Sequence, residues 1–159
     1  MARRAGRPYV RRMKIALASD HAALALKTEL AEWLAGLGHE VADLGTHGEG
    51  SVDYPDYGYR LAAHLAAGEA ERGIALCGSG IGIAIAMNRN PAVRCAQVSE
   101  PLSAGLARPH NDPNAIALGS RVIGADMARA CVEAFLDAEF SGGRHIRRVE
   151  KLSKMPQDA

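Results

Sequence analysis

A cysteine followed by closely spaced glycines is the part of this sequence whose residue types best suit chemistry. Cys77 ends an apolar run and is followed by Gly78-Ser79-Gly80-Ile81-Gly82. Alternating glycines let backbone N–H groups converge on an anion, and the start of a helix adds positive potential. These surroundings favour a thiolate beside an oxyanion site. The alternative is that Cys77 is only a small buried hydrophobic residue at a tight turn.

Ile83 stands where two better-known phosphate-binding loop patterns require a different residue. A dinucleotide-binding fingerprint that starts at Gly78 requires glycine at position 83. A thiol phosphatase loop that starts at Cys77 would want arginine at the same position. The loop also lacks the lysine of a P-loop.

Two other polar segments contain groups suited to ligand binding or proton transfer. Asp20 follows the first apolar run and is explained equally well as a helix N-cap. A cationic His21 in a first helical turn would oppose the helix dipole, which favours a shared anionic ligand. His110 suits acid–base chemistry near neutral pH, although Asn111 and Asp112 are also ordinary turn residues. We predict no metal site, because no second histidine lies at ligand spacing.

Arg144 and Arg148 lie one helical turn apart near the C-terminal end. Their like charges repel unless acids or a bound anion compensate, and neither has an acidic partner at helical spacing. The pair therefore predicts a phosphate clamp, with a solvated basic face as the alternative.

These residues must be positioned by an alternating series of strands and helices. Such alternation predicts an α/β fold, a three-layer Rossmann-like sandwich whose five-stranded parallel sheet has helices on both faces. Ligands bind such sheets beyond the carboxyl ends of the strands. We predict strands over residues 14–19, 40–44, 73–77, 94–98 and 115–118. We predict helices over residues 56–67, 80–87 and 101–108, and helices that include residues 26–37 and 127–134, with residues 110–112 in a connecting loop.

Composition limits the possible classes of protein. The 159 residues are 48% hydrophobic and 4% aromatic, which suits one soluble domain with a core of Ala, Leu, Ile and Val. Residues 1–12 carry five arginines and no acid; we expect a disordered extension or a true start at Met13, followed by one domain over residues 13–155. Neither a membrane span, an export signal nor a nucleic-acid surface is predicted. Three cysteines without a C-x-x-C pair favour a reducing cytoplasm.

Taken together and in order, these segments resemble the ribose-5-phosphate isomerase type B family, which includes the galactose-6-phosphate isomerase subunits. The resemblance covers residues 13–152. It rests on Ser19-Asp20-His21, Asp53-Tyr54-Pro55, Cys77-Gly78-Ser79-Gly80-Ile81-Gly82, Ser99-Glu100-Pro101, His110-Asn111-Asp112, Gly119-Ser120-Arg121 and Gly142-Gly143-Arg144-His145. It implies an aldose–ketose isomerase of phosphorylated sugars that needs no metal or other cofactor. It also implies a homodimer or homotetramer whose active sites are shared between subunits.

The resemblance also implies roles for single residues. Cys77 would move the proton between the first two carbons of the sugar, and the amides of residues 78–82 would hold the enediolate. Ser79 would bond the reacting oxygens, and His110, aided by Asp20, would open the sugar ring. The remaining contacts would be Asn111 on a substrate oxygen and, on the phosphate, His21, Arg121, Arg144 and Arg148.

The chain departs from the family pattern at positions that could determine the length of the sugar that is bound. Ala22-Ala23-Leu24 stands where a glycine is common, and Leu102 stands where an aromatic residue is usual. The glycine-rich loop also lacks the glutamate that some relatives use as the base. Ribose 5-phosphate is the expected substrate. The alternatives are a six-carbon sugar phosphate, such as allose or galactose 6-phosphate, or a phosphosugar-binding module without catalysis.

Overall fold

The computed structural model describes residues 11–156 and contains one parallel five-stranded sheet. The strand order is β2-β1-β3-β5-β4, which confirms the predicted fold class. The strands are β1 (Lys14–Ser19), β2 (Glu40–Asp43), β3 (Arg72–Cys77), β4 (Cys95–Gln97) and β5 (Ala115–Gly119). The helices are α1 (Leu24–Gly36), α2 (Tyr54–Ala66), α3 (Ile81–Met87), α4 (Pro101–Asn111), α5 (Ala125–Asp137) and α6 (Arg144–Leu152), with a short 3-10 turn at His21–Ala23.

The two faces of the sheet carry different side chains because neighbouring strand residues point to opposite sides. Ile15 and Leu17 face a cluster that includes residues of α1 and α5, with Phe135 fully buried. Ala16 and Ala18 face the cluster that includes residues of α2 and α3. Alanines on this second face leave room for α2 and α3 to lie close to the strands.

The order of the strands places the first and third strand ends side by side. β1 pairs with β2 on one side and with β3 on the other, so the connections diverge between β1 and β3. Such a switch point opens a crevice at the carboxyl ends of the strands. Ser19 is in register with Leu76, and Cys77 is in register with Gly119. Asp20 and Cys77, one residue further along their strands, therefore reach the same edge.

The outer strand β4 is partly covered by an amide side chain. Asn88 Nδ2 donates to the carbonyl of Cys95 at 2.9 Å, and the Cys95 N–H donates to Asn88 Oδ1 at 2.8 Å. The Asn88 side chain thus occupies the position that a further strand would take beside Cys95.

The predicted end of the fourth helix at residue 108 is wrong. α4 continues through Pro109 to Asn111, so His110 and Asn111 lie in its last turn and not in a connecting loop. Pro109 has no N–H to donate to the carbonyl of the preceding turn, and its ring crowds that carbonyl, yet the two residues after it stay helical. Asp112 closes the helix in the left-handed conformation, with φ +44°, and its N–H donates to the Arg108 carbonyl at 3.2 Å.

Most of the predicted N-terminal extension, residues 1–10, lies outside the described residues. Its last two arginines are exposed: Arg11 pairs with Glu71 at 2.7 Å, and Arg12 lies 3.9 Å from Glu40. Across residues 11–156, no helix combines the length and the apolar character that a membrane span requires.

Candidate active site

A cleft of about 600 Å³ lies at the carboxyl ends of the central strands. It gathers seven of the residues predicted from the sequence: Asp20, Cys77, Gly78, Ser79, Ile81, Gly82 and Arg121. Three further residues, Tyr54, Ile85 and Val122, complete the lining. The strand register described above is the reason that residues far apart in the chain meet here.

Cys77 lies at the floor of this cleft, where β3 ends. The residue is 3% exposed, and its sulfur accepts a hydrogen bond from the Gly80 N–H at 3.1 Å. Such a bond stabilises negative charge on sulfur more than it stabilises a neutral thiol. The cysteine is thus held by the loop that follows it.

The loop that follows Cys77 is packed directly against the backbone of β5. Gly80 has φ +77°, and a Cβ at this position would lie 2.8 Å from the carbonyl carbon of Leu118. A Cβ at Gly119 would in turn lie 2.6 Å from the carbonyl carbon and oxygen of Ser79. The Ser120 N–H donates to the Cys77 carbonyl at 2.9 Å, which fastens the base of the loop. These contacts require glycine and hold the amides in fixed positions.

Ser79 and Arg121 place polar groups over the loop. The Ser79 hydroxyl oxygen accepts the Ile81 N–H at 3.2 Å, so its own proton is directed elsewhere. The Arg121 guanidinium lies above Gly78, with Nη1 3.2 Å from the position of a Cβ there. A hydroxyl donor and a cation therefore border the amides where an anion would bind.

Asp20 contributes a buried carboxyl group to the lining of the cleft. It is 6% exposed, and its Oδ1 has no hydrogen-bond partner among residues 11–156. Leaving a carboxylate oxygen without a partner is costly in a buried position. A ligand that carries hydroxyl donors would relieve this cost.

Tyr54 also lines the cleft, although the sequence pattern assigns it no role. Its ring lies so close to Gly82 that an added Cβ there would be 2.6 Å from the ring carbons. The phenol therefore forms a wall across the first turn of α3. The only sequence signal was the Asp53-Tyr54-Pro55 segment, because a tyrosine at the start of a helix does not by itself indicate a site.

His21 does not line this cleft. Its Nδ1 accepts the Val52 N–H at 3.1 Å, which gives the imidazole a structural partner. The residue lines a separate surface depression, together with acidic residues that include Glu29 and Glu49. Its predicted contact with phosphate stays a prediction.

The other predicted binding residues form a second group, none of which lines the Cys77 cleft. His110 is exposed and stacks on His145, with ring centroids 5.0 Å apart and planes 21° apart. Burial and the positive charges of His110, Arg144 and Arg148 lower the pKa of His145. Both arginines are exposed on α6, whereas Asn111 lines a different cleft of about 420 Å³ beside β4.

The other two cysteines have different surroundings from Cys77. Burial raises the pKa of the Cys95 thiol to about 12 and also raises that of Cys131. Both are free and buried, as expected for structural residues. Within residues 11–156, no group of three or more His, Cys, Asp or Glu side chains is arranged to hold a metal ion.

The chain is similar to known proteins over most of its length. The model of the Ribose/Galactose Isomerase family matches residues 15–152. Ribose-5-phosphate isomerase B of Escherichia coli is 44% identical over 144 residues, which cover 91% of this chain and 97% of that protein. D-erythrulose-4-phosphate isomerase of Pectobacterium atrosepticum is 42% identical over 142 residues, covering 88% and 93%.

A solved structure shares both the sequence pattern and the fold. Ribose-5-phosphate isomerase B of Clostridium thermocellum superimposes with a TM-score of 0.87 at 49% identity, covering 89% of this chain and 95% of that one. The family match and these relatives extend over nearly all of the domain that holds the Cys77 cleft. This chain therefore belongs to the ribose/galactose isomerase family, and it is an aldose–ketose isomerase.

Proposed function

We propose that this protein interconverts ribose 5-phosphate and ribulose 5-phosphate through a cis-enediolate, with Cys77 as the general base and without a metal ion. The observation that carries the proposal is the Cys77 sulfur at the floor of the cleft, with the Gly80 N–H 3.1 Å away. Relatives that carry the name ribose-5-phosphate isomerase B support the choice of a pentose phosphate.

The proposed reaction moves one proton between two neighbouring carbons. The Cys77 thiolate removes the proton from C2 of the open-chain aldose, and the electron pair shifts towards the C1 carbonyl oxygen. The amides of residues 78–82 and the Ser79 hydroxyl stabilise the resulting enediolate. A proton passes from the C2 hydroxyl to the C1 oxygen, and the Cys77 thiol then returns its proton to C1 while the C2 oxygen becomes the carbonyl of the ketose.

Ring opening and phosphate binding also require His110, Asn111, Arg144 and Arg148, which lie away from the cleft within one copy of the chain. We assign proton transfer in ring opening to His110 with Asp20, a substrate oxygen contact to Asn111, and phosphate binding to Arg144 and Arg148. Two of the exposed apolar residues suggest how these groups reach Cys77. Leu102, 70% exposed, lies on α4 with His110, and Ile85, 62% exposed, borders the cleft.

Joining two copies would cover such apolar surfaces and complete the site. Each active site then combines Cys77 of one copy with His110 of the other, as in a symmetric dimer. Mixing an inactive Cys77→Ala variant with an inactive His110→Ala variant should restore activity after subunit exchange. About one quarter of the parent rate is expected, because half of the dimers are mixed and each mixed dimer has one intact site. No recovery despite demonstrated subunit exchange would contradict shared sites.

The function itself is tested by turnover. Purified protein should convert ribose 5-phosphate to ketose with and without a chelator. Cys77→Ala should lose roughly 10²- to 10⁴-fold in kcat, the usual contribution of a general base. Cys95→Ala removes a thiol outside the cleft and should keep the parent rate. Ligand binding without turnover in the parent would favour a phosphosugar-binding module, and inhibition by chelator would contradict the metal-free mechanism.

Sugar length is decided by comparing substrates of four, five and six carbons. The four-carbon substrate is included because one relative at 42% identity is named as a D-erythrulose-4-phosphate isomerase. The six-carbon substrates test the departures at residues 22–24 and 102. We expect the highest kcat/KM for the pentose phosphate, and a higher value for another length would reassign the substrate.

A further inference from the structure

The end of α4, which carries His110 and Asn111, is held by two arginines on one carboxylate. Arg108 Nη1 bonds Asp112 Oδ1, and Arg94 Nη2 lies 3.4 Å from Asp112 Oδ2. Arg108 is buried, and Arg94 and Asp112 are partly buried. We name Arg94, Asp112 and Arg108 the Asp112 clamp. None of its members lines the Cys77 cleft.

Arg94 also binds the backbone of the two residues that follow His110, the predicted acid–base residue. Its Nε donates to the Asn111 carbonyl at 3.2 Å and to the Asp112 carbonyl at 3.0 Å, and its Nη2 donates to the Asp112 carbonyl at 2.7 Å. The last carbonyls of a helix have no partner within the helix. Arg94 supplies those partners and a positive charge at the negative end of the α4 dipole.

The Asp112 clamp connects α4 to the two helices that follow it. Arg94 Nη1 donates to the hydroxyl of Ser153, which directly follows α6, at 2.9 Å. Arg108 donates to the carbonyl of Pro113 at 3.1 Å and to that of Ala138, which directly follows α5, at 3.4 Å. The clamp therefore fixes the end of α4 relative to α6, the helix that carries Arg144 and Arg148.

An elaborate ionic cluster is not required to end a helix. A glycine in the left-handed conformation does so without burying charge, and burying ions carries a desolvation cost. What the Asp112 clamp adds is a fixed distance between the acid–base group on α4 and the phosphate-binding pair on α6. A displacement of about 1 Å in a catalytic group can cost on the order of 10²-fold in rate.

We propose that Asp112 is a positioning residue, which through Arg94 and Arg108 holds His110 for opening of the sugar ring. This inference rests on the proposed function, in which His110 serves ring opening and Cys77 serves proton transfer. It predicts that loss of the Asp112 clamp slows ring opening far more than it slows proton transfer by Cys77.

Two reactions separate the steps. An aldopentose 5-phosphate is mostly a closed ring, so its conversion needs ring opening. A 2-ketopentose 5-phosphate has no free C5 hydroxyl with which to close a five-membered ring, so it presents an open chain. In deuterated water, Cys77 removes a C1 proton from the ketose, the thiol exchanges with solvent, and a deuteron returns to C1. This exchange needs Cys77 but no ring opening.

The test variant is Asp112→Asn, because asparagine adopts the left-handed conformation readily and keeps the shape while losing the charge. At saturating ribose 5-phosphate we expect its conversion to fall roughly 10²-fold. Exchange at C1 of saturating ribulose 5-phosphate should stay close to the parent rate. Arg94→Lys, which keeps the charge but loses the fork of contacts, should also lower conversion, by a smaller factor, and should leave exchange close to the parent rate. Glu133→Gln, which removes an exposed carboxylate on α5, is the control for loss of one negative charge.

The outcomes distinguish this proposal from the one on which it rests. A parent protein that neither converts the aldose nor exchanges the C1 proton would overturn both. Unchanged conversion in Asp112→Asn, with an active parent, would overturn the positioning role alone. So would a folded variant in which conversion and exchange fall by the same factor, because that result indicates a general structural role. If Asp112→Asn does not fold, the same criteria apply to Arg94→Lys.

Discussion

Replacing Gly80 by alanine tests the local packing and the proposed chemistry together. The Gly80 N–H donates to the Cys77 sulfur at 3.1 Å, and the residue has φ +77°. An added Cβ would lie 2.8 Å from the Leu118 carbonyl carbon and 3.0 Å from the Gly119 nitrogen. Both are backbone atoms of β5, so they cannot rotate away as a side chain can.

Gly68 provides a matched control. Its φ of +74° is nearly the same, but an added Cβ would meet nothing within 4 Å. The left-handed conformation costs an L-residue about 1–2 kcal/mol, which is the whole effect expected for Gly68→Ala. Crowding adds about 1–3 kcal/mol for Gly80→Ala, which brings its expected loss of stability to about 2–5 kcal/mol.

The effects on catalysis should differ more than the effects on stability. Because the loop must shift to admit a methyl group, the Gly80 amide moves away from the sulfur. Loss of one such donor costs about 10²- to 10³-fold in kcat, whereas Gly68→Ala should keep the parent rate. Guanidinium unfolding followed by the fluorescence of Trp33, the single tryptophan, measures stability, and turnover of ribose 5-phosphate measures the rate.

Two results would refute this reasoning. If both glycine variants lose the same stability, the backbone of residues 118–119 yields to the added methyl group and the packing argument is wrong. If Gly80→Ala turns over at the parent rate, the amide next to the sulfur is not needed by the base.

Three further predictions concern ionisable groups elsewhere. Lys27 is fully excluded from solvent, and its Nζ lies 2.5 Å from Asp43 Oδ1. Asp43→Asn should therefore lower the free energy of unfolding by about 3 kcal/mol, the low end of the range for broken buried pairs, because Asp43 is 30% exposed. A loss below about 1 kcal/mol in chemical unfolding would contradict this. At pH 8, iodoacetamide should modify Cys77 and spare Cys95, whose pKa is raised to about 12; equal modification in peptide mass spectra would count against it. Burial lowers the pKa of His39, so the unfolded chain binds more protons in acid and stability should fall as pH drops below about 6.5. His39→Gln should flatten that dependence in unfolding measured from pH 7 to 5, and an unchanged slope would exclude His39 as its source.

The sequence predicts the sheet and the Cys77 cleft well because both follow from local patterns. Apolar runs mark the strands, and parallel strands bring their carboxyl ends to one edge, so Asp20 and Cys77 could be placed together before their register was known. The end of α4 was predicted wrongly because Pro109 is a strong local signal for a helix end. Arg94 and Arg108, which hold the turn beyond it, act through contacts that residue spacing does not reveal.

The roles of Tyr54 and His21 lay beyond sequence reasoning for a different reason. The ring of Tyr54 packs against Gly82, which lies on another helix, and no periodicity in the sequence predicts that contact. His21 was expected beside an anion because of the helix dipole, but in this structure its Nδ1 takes the N–H of Val52. A pattern identifies which residues are able to bind a ligand, whereas the neighbours that compete for them depend on the fold.

The amide of Asn88 has a consequence for how copies of this chain can associate. Because it occupies the backbone N–H and carbonyl of Cys95, strand addition beside this residue is blocked. A strand of another copy could pair with Cys95 only by displacing the Asn88 amide. One neutral side chain thereby protects this edge of the sheet, at Cys95, from the open-ended strand pairing that leads to aggregates.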